Sequence, residues 1–253
     1  MKQLNEQVSP SLRVFTVLQK NGVALEENKK EALSHFVELL LEWNKKINLL
    51  SRRDAPFVWE HHILHSLTPV FLFSFERIRT IIDAGTGGGL PGIPLAILLP
   101  GVEFYLIDSV AKKVEAVRTM VGELELENVQ VLCSRVEKLS ATTLGLKEID
   151  GVVARALAPL RDVVRWTRPL LAAPISSVSA EKDVAQEHRR KITLDPGFLL
   201  LFKGGDLTKE IADMKRLTYP ISVQGVPLNF PGSELLSSAD KKILIVTFYK
   251  GVS

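Results

Sequence analysis

The sequence predicts an α/β protein in which a mostly parallel sheet carries helices on both faces. A helical segment precedes the sheet and an antiparallel strand completes it. Three observations predict this architecture. After Arg79, short apolar runs alternate with amphipathic stretches, the signature of strand-helix-strand units. The apolar runs are continuous rather than alternating, as burial on both sheet faces requires. The last two runs, residues 221–227 and 243–249, are separated by a turn-rich stretch with Pro231 and Gly232 and no long helix, which leaves them free to pair antiparallel.

In chain order, residues 10–20 read as a short helix broken at Asn21 and Gly22. Over residues 31–50, Leu33, Phe36, Val37, Leu40, Trp43 and Ile47 recur at steps of three and four, one buried stripe of a long amphipathic helix. A second helix is expected over residues 55–73, with Asp54 as its N-cap at the end of the basic turn Ser51-Arg52-Arg53-Asp54. Residues 1–59 are therefore expected to form an N-terminal helical cap packed on a main domain of residues 60–253. In that domain Thr80-Ile81-Ile82 opens the sheet and ends at Asp83. Strands follow at 103–107, 129–133, 151–154 and 198–202, with helices at 110–126 and 160–171. Residues 172–194 are polar, with the run His188-Arg189-Arg190-Lys191, and read as a solvated helix or loop.

At 253 residues, with 46% hydrophobic and 24% charged side chains and no low-complexity segment, the chain is neither disordered nor fibrous. Its longest apolar runs, such as residues 93–99, fall short of the ~20 residues that span a bilayer. The opening residues Met1 to Glu6 lack a signal-peptide apolar region, so a cytoplasmic protein without a membrane partner is expected. The single cysteine, Cys133, makes no internal disulfide and no cysteine-rich zinc site, and is expected to be a small buried hydrophobe.

The net charge of +3 does not by itself establish a polyanionic partner, so the placement of charge matters more. Lys45, Lys46, Arg52 and Arg53 cluster around the end of the long helix. Arg161, Arg165 and Arg168 recur at steps of four and three, on one predicted helical face close to Arg155. Each group reads either as a set of phosphate contacts or as an ordinary solvated face. Trp43, Phe57 and Trp59 are the nearest aromatics; stacking on an unpaired base requires an exposed one, and Trp43 lies on the apolar stripe.

The run Asp83-Ala84-Gly85-Thr86-Gly87-Gly88-Gly89-Leu90-Pro91 ends a strand and opens a helix, with Pro91 suited to a first helical turn. Gly85, Gly87 and Gly89 permit positive φ and close approach of a ligand to the backbone. The next strand delivers Asp108, about 20 residues on, where a carboxylate accepts from ribose hydroxyls. The third glycine follows the second by two positions, whereas a pyrophosphate-binding turn uses three. A ligand with adenosine but no pyrophosphate, S-adenosylmethionine, fits this turn. The fold expected is then a class I S-adenosylmethionine-dependent methyltransferase.

Several elements in register carry a specific resemblance. They are Trp43-Asn44-Lys45-Lys46-Ile47-Asn48-Leu49, His62-Ile63-Leu64-His65-Ser66-Leu67, residues 83–94, Asp108-Ser109, Ser134-Arg135-Val136-Glu137 and Arg155-Ala156. Over residues 31–171 the chain resembles the RsmG (GidB) family, and Lys203-Gly204 resembles a later family element. The resemblance implies methylation of N7 of one guanine in the 530 loop of 16S rRNA, the position conventionally numbered 527. It implies cofactor contacts at Gly85, Gly87, Leu90, Asp108, Val136, Glu137 and Arg155, with Asp108 on the ribose and Val136 and Glu137 at the adenine. Arg155 is placed near the methionine end or the target base, as the catalytic residue. The partner implied is 16S rRNA within a small ribosomal subunit, and a monomer is expected. His65 stands where the family usually has aspartate, and residues 172–194 make a longer stretch than usual.

Attack by N7 uses a lone pair already on the base, so no general base is needed and positioning dominates. The sequence agrees: it has no Asn-Pro-Pro-Tyr-like segment for holding an exocyclic amine, and Cys133 has no neighbouring proline. His61 and His65 are four apart, but residue 62 is His rather than the Glu of the zinc-protease motif, and no metal is expected. His62 and His65 are expected to hydrogen-bond between the cap and the cofactor domain. The alternatives are a methyltransferase of another RNA, protein or small molecule, and an RNA-binding assembly factor without turnover. A nicotinamide oxidoreductase is disfavoured by the glycine spacing and the lack of a Tyr-Lys or His-based acid.

Overall fold

The structure is a computed structural model that describes residues 8–172, 191–214, 221–236 and 240–248. Helix α1 (Pro10–Lys20) begins where Ser9 Oγ accepts from the Leu12 N–H, with proline in its first turn, and it ends at Asn21. Helix α2 (Glu27–Lys46) starts one turn before the hydrophobic stripe and buries Leu33, Phe36, Val37 and Leu40. Asn44 Oδ1 accepts from the Leu49 and Leu50 N–H groups at 2.9 and 2.8 Å, so the chain leaves the helix in a fixed direction.

The single helix expected over residues 55–73 is three segments. A 3₁₀ turn (Ala55–Phe57) passes into a π-helix (Val58–Leu64) and then into α3 (His65–Leu72). Asp54 is not its cap, because that carboxylate accepts from Ser51 Oγ at 2.7 Å and lies 3.4 Å from His61 Nδ1. Pro69 cannot donate to the His65 carbonyl, and Thr68 Oγ1 does so instead at 2.8 Å, which keeps α3 intact. The boundary expected at residues 59 and 60 falls inside the π-helix.

After the two-residue β1 (Phe73–Ser74), the sheet proper is built from β2 (Thr80–Ala84), α4 (Gly92–Leu98), β3 (Glu103–Asp108), α5 (Ala111–Glu123), β4 (Val129–Cys133), β5 (Gly151–Arg155) and α6 (Leu160–Thr167). It continues with β6 (Ile192–Thr193, paired with β1), β7 (Phe198–Lys203), α7 (Thr208–Met214), β8 (Ile221–Pro227) and β9 (Lys242–Phe248). Helix α7 was not foreseen; it is short and polar on its outer side. The expected polar stretch 172–194 lies largely outside the described residues, as does Tyr249 at the expected end of the last strand.

Seven strands form one sheet in the order β4-β3-β2-β5-β7-β9-β8. β2, β3, β4, β5 and β7 are parallel, and β9 enters antiparallel between β7 and β8. Alternate residues serve two cores. Ile81, Phe104, Leu106 and Leu200 face α4, α5 and the N-terminal helices, sharing one cluster with Leu18, Phe36, Leu40 and Leu64. Ile82, Ile107, Val152, Leu199 and Leu201 face α6 and α7. Gly151 admits the Phe198 ring, which would stand 2.0 Å from any Cβ there.

Cys133 is exposed, a correction to the buried role expected of it. It is the last residue of β4, which lies at one edge of the sheet, where less of the layers on either face reaches over a side chain. No helix among the described residues is long and apolar enough to cross a membrane.

Candidate functional site

The parallel strands end on one side of the sheet, and their following loops meet there, as crevice-building loops do in open α/β sheets. The turn after β2 is held by Gly85 N–H and Thr86 N–H, which both donate to the Ile107 carbonyl at 2.9 Å. Gly85, Gly87 and Gly89 have φ of +72°, +59° and +85°, the left-handed region that glycine enters without strain. Asp83, fully buried, anchors the turn through Oδ2, which accepts from Thr86 Oγ1 at 2.7 Å and Gly92 N–H at 2.8 Å. Burial pushes its carboxyl up to about 6, against the opposing pull of those donors and Arg155. Its other oxygen has no partner among the described residues. Pro91 lies just before α4 rather than in its first turn.

Asp108 ends β3 with both oxygens oriented by backbone: Oδ2 accepts from Gly87 N–H at 3.0 Å and Oδ1 from Val110 N–H at 2.9 Å. Each oxygen keeps a lone pair for a further donor. Val136 is buried and Glu137 exposed in a single 3₁₀ turn after β4. Leu90 is buried and its N–H donates to the Thr86 carbonyl, so its side chain belongs to the core. The carboxyl ends of four adjacent strands thus bring Gly85, Gly87, Asp108, Val136, Glu137 and Arg155 to one side.

Arg155 ends β5, and its Nη2 donates to His62 Nδ1 at 2.8 Å, joining the sheet to the π-helix. Burial lowers the His62 ring to about 3, helped by the Arg155 charge, so the ring is the neutral acceptor of that bond. Arg155 is lowered to about 10 by burial, with Asp83 and Asp54 opposing, and remains charged at neutral pH. His65 does not bridge in the same way. It is buried and held well below its ordinary pKa chiefly by desolvation, its ring meets the Phe202 ring edge-on at 5.1 Å, and its Nε2 has no partner among the described residues. Lys241, at the entry to β9, completes the cluster: burial first, then Arg155, brings its ammonium down to about 8. Sequence reasoning missed Lys241, since only the insertion of β9 beside β7 brings it to the carboxyl ends of the parallel strands.

The basic groups separate. Lys45, Lys46, Arg52 and Arg53 are all exposed, with Lys45 paired to Glu42 and Lys46 lying 4.8 Å over the Trp43 ring. They sit beside the glycine turn because Gly88 packs against the segment that carries them; a Cβ at 88 would come 2.9 Å from Leu40 Cδ1 and 3.2 Å from Leu49 Cβ. The stripe of Arg161, Arg165 and Arg168 is corrected. Helix α6 ends at Thr167 because Pro169 follows, and Arg168 falls in a 3₁₀ turn with its guanidinium 5.0 Å over the Phe248 ring. That turn adjoins Ile149, before the start of β5, so Arg168 lies at the opposite end of the sheet from Arg155. Arg161 and Arg165 are exposed, Arg165 3.4 Å from Asp162.

A sheet of this order with its antiparallel strand inserted next to the edge, and a glycine turn locked onto an acidic residue at the next strand end, defines a Rossmann-like S-adenosylmethionine-dependent methyltransferase. The family model for rRNA small subunit methyltransferase G, GidB, matches residues 29–190, and the chain belongs to that family. The ribosomal RNA small subunit methyltransferase G of Chlorobaculum tepidum is 37% identical over 214 residues, covering 83% of this chain and 86% of that protein. Its counterpart in Chlorobium luteolum is 40% identical over 196 residues, covering 77% and 71%. A solved SAM-dependent methyltransferase from Aquifex aeolicus aligns over 79% of this chain and 96% of its own at 14% identity and a TM-score of 0.48.

Proposed function

We propose that this protein transfers the methyl group of S-adenosylmethionine to N7 of a guanine in the 530 loop of 16S rRNA, at the position conventionally numbered 527. The observation that carries the N7 assignment is the Arg155–His62 pair. The histidine nearest the strand ends already accepts a hydrogen bond and holds its proton too weakly to act as a general base near neutral pH. An acceptor that must lose a proton before attack is poorly served there, whereas N7 needs only alignment.

The residues present fit the cofactor. The space over Gly87 is open, since a Cβ there meets nothing nearer than 3.9 Å, and Asp108 offers preoriented oxygens beside it. Gly85 and Gly87 would line the ligand with bare backbone, Asp108 would accept from both ribose hydroxyls, and Val136 would pack on the adenine with Glu137 at its amine. Leu90 would act through its main chain. When bound, the sulfonium supplies an electrophilic methyl and a neutral leaving group. Arg155, its side chain fixed by His62, would stand near the methionine end of the cofactor or the target base and orient it by hydrogen bonding. Arg161, Arg165 and the exposed Lys45, Lys46, Arg52 and Arg53 would contact RNA phosphates without reading sequence. The acceptor in this reading is the rRNA of a small ribosomal subunit, and the enzyme a cytoplasmic monomer whose residues 1–59 cap the cofactor domain of 60–253.

The test is to incubate the protein with methyl-labelled S-adenosylmethionine and small subunits or free 16S rRNA lacking the modification, then map N7-methylguanine. Label in the 530 loop is the expected result; no transfer to either substrate, with cofactor binding intact, overturns the assignment.

A further inference from the structure

One aromatic side chain stands out at the surface beside the π-helix. Phe57 is 51% exposed, one of only a few large apolar side chains so placed among the described residues. Its ring lies on the His61 ring with centroids 5.0 Å apart and planes 23° from parallel. The stack is held from below, since His61 Nδ1 lies 3.4 Å from Asp54 Oδ1 and Asp54 in turn accepts from Ser51 Oγ. On the π-helix the half-buried His61 faces Phe57 and Asp54 while its neighbour His62 reaches Arg155. Arg52 and Arg53, both exposed, stand on the turn that leads into Phe57.

We propose that the outer face of Phe57, backed by His61, is a stacking platform for an unpaired RNA base that flanks the methyl acceptor. Three features point to a nucleobase rather than to an apolar protein surface. The platform is a single flat ring pair rather than a groove. Two exposed arginines, Arg52 and Arg53, stand on the turn that leads into it, next to Asp54, and two cations close in sequence suit a polyanion. It also adjoins His62, the residue that touches Arg155, so a base stacked there flanks the side of the sheet on which the acceptor is proposed to bind. Unpaired bases are held by aromatic faces in this way, with little demand on base identity. The proposal rests on the RNA substrate proposed above and names the contact that orients it.

The experiment compares Phe57→Ala, Phe57→Leu and Phe57→Tyr in the full chain. It measures anisotropy of a labelled hairpin oligoribonucleotide with an unpaired loop, steady-state methylation of small subunits, cofactor affinity and thermal midpoint. Because the ring is exposed, all three variants should melt with the parent and keep its cofactor affinity. Phe57→Ala and Phe57→Leu should bind the loop about ten-fold more weakly and raise KM for RNA to match, while Phe57→Tyr stays near the parent. An unpaired loop base replaced by an abasic site should erase the difference between parent and Phe57→Ala. Parent-like loop binding and KM in Phe57→Leu overturn the platform. Methyl transfer absent from the parent while Phe57→Ala and Phe57→Leu still lose loop binding overturns the rRNA methylation reading and leaves the platform standing.

Discussion

At the scale of single residues, the decisive groups are buried charges whose partners are named. Burial raises the Asp83 carboxyl to about 6 in the fold, against 3.8 for a solvated aspartate. Between those values the folded state binds more protons than the unfolded one, so this group's contribution to stability falls as pH rises. The loss is complete above about pH 6 and amounts to roughly 3 kcal/mol. Asp83→Asn keeps an oxygen for Thr86 and Gly92 but carries no charge. In denaturant titrations it should match the parent at pH 4 and exceed it at pH 7; equal gaps at both values would remove Asp83 from this role. Asp108→Ala should raise the dissociation constant for S-adenosylmethionine roughly 10- to 100-fold in calorimetry, the loss of hydrogen bonds to a charged group. Arg155→Ala should lower kcat/KM for methyl transfer by roughly 100-fold with a small change in thermal midpoint, and activity at the parent's level would take Arg155 out of the site. Asp83 and Asp108 were legible in the sequence because each stands at or next to the end of a strand beside the glycine turn or its acidic partner, whereas Arg155 was singled out through the family resemblance. Lys241 was not, since nothing local to it signals the site. Cys133 misled because residue type does not tell that its strand lies at the edge of the sheet.

At the scale of elements, strands were read more accurately than helices. The runs 129–133 and 221–227 are strands end to end, and the other expected runs differ by about a residue within the described residues, because continuous apolar runs between turns have sharp edges. Helix boundaries failed where a side chain or a proline overrode periodicity, at Asp54 with Ser51 and at Pro169 after α6. The contact between the glycine turn and the N-terminal helices was equally invisible, since it depends on what stands opposite Gly88. Gly88→Ala should destabilise the fold by about 1–3 kcal/mol through overpacking against Leu40 and Leu49. Combined with Leu40→Ala, it should cost less than the two single changes together; strict additivity in a double-mutant cycle would show that the two segments are not in register.

At the scale of the whole molecule, a mostly parallel sheet with helices on both faces and an antiparallel end followed from pattern alone, while the strand order, with β9 between β7 and β8, and the shared surface of basic turn, π-helix and strand ends emerged only on assembly. Removing Arg52 and Arg53 together should leave cofactor affinity unchanged and flatten the dependence of log RNA affinity on log salt by about 1 to 2, the share of two phosphate contacts. A slope equal to the parent's would return both to ordinary solvated surface. The order of the sheet also bears on how the protein is made. β8 has no partner in the sheet except β9, and β9 pairs with β7 on its other side. During synthesis β8 therefore emerges with nowhere to dock, and the edge of β7 waits open until the residues of β9 follow. Lys241 arrives with that same strand, so a nascent chain stalled before β9 has its glycine turn and Asp108 but lacks a cation of its site. The cluster of buried cations around Arg155 is therefore complete only once the strand that closes the sheet is in place.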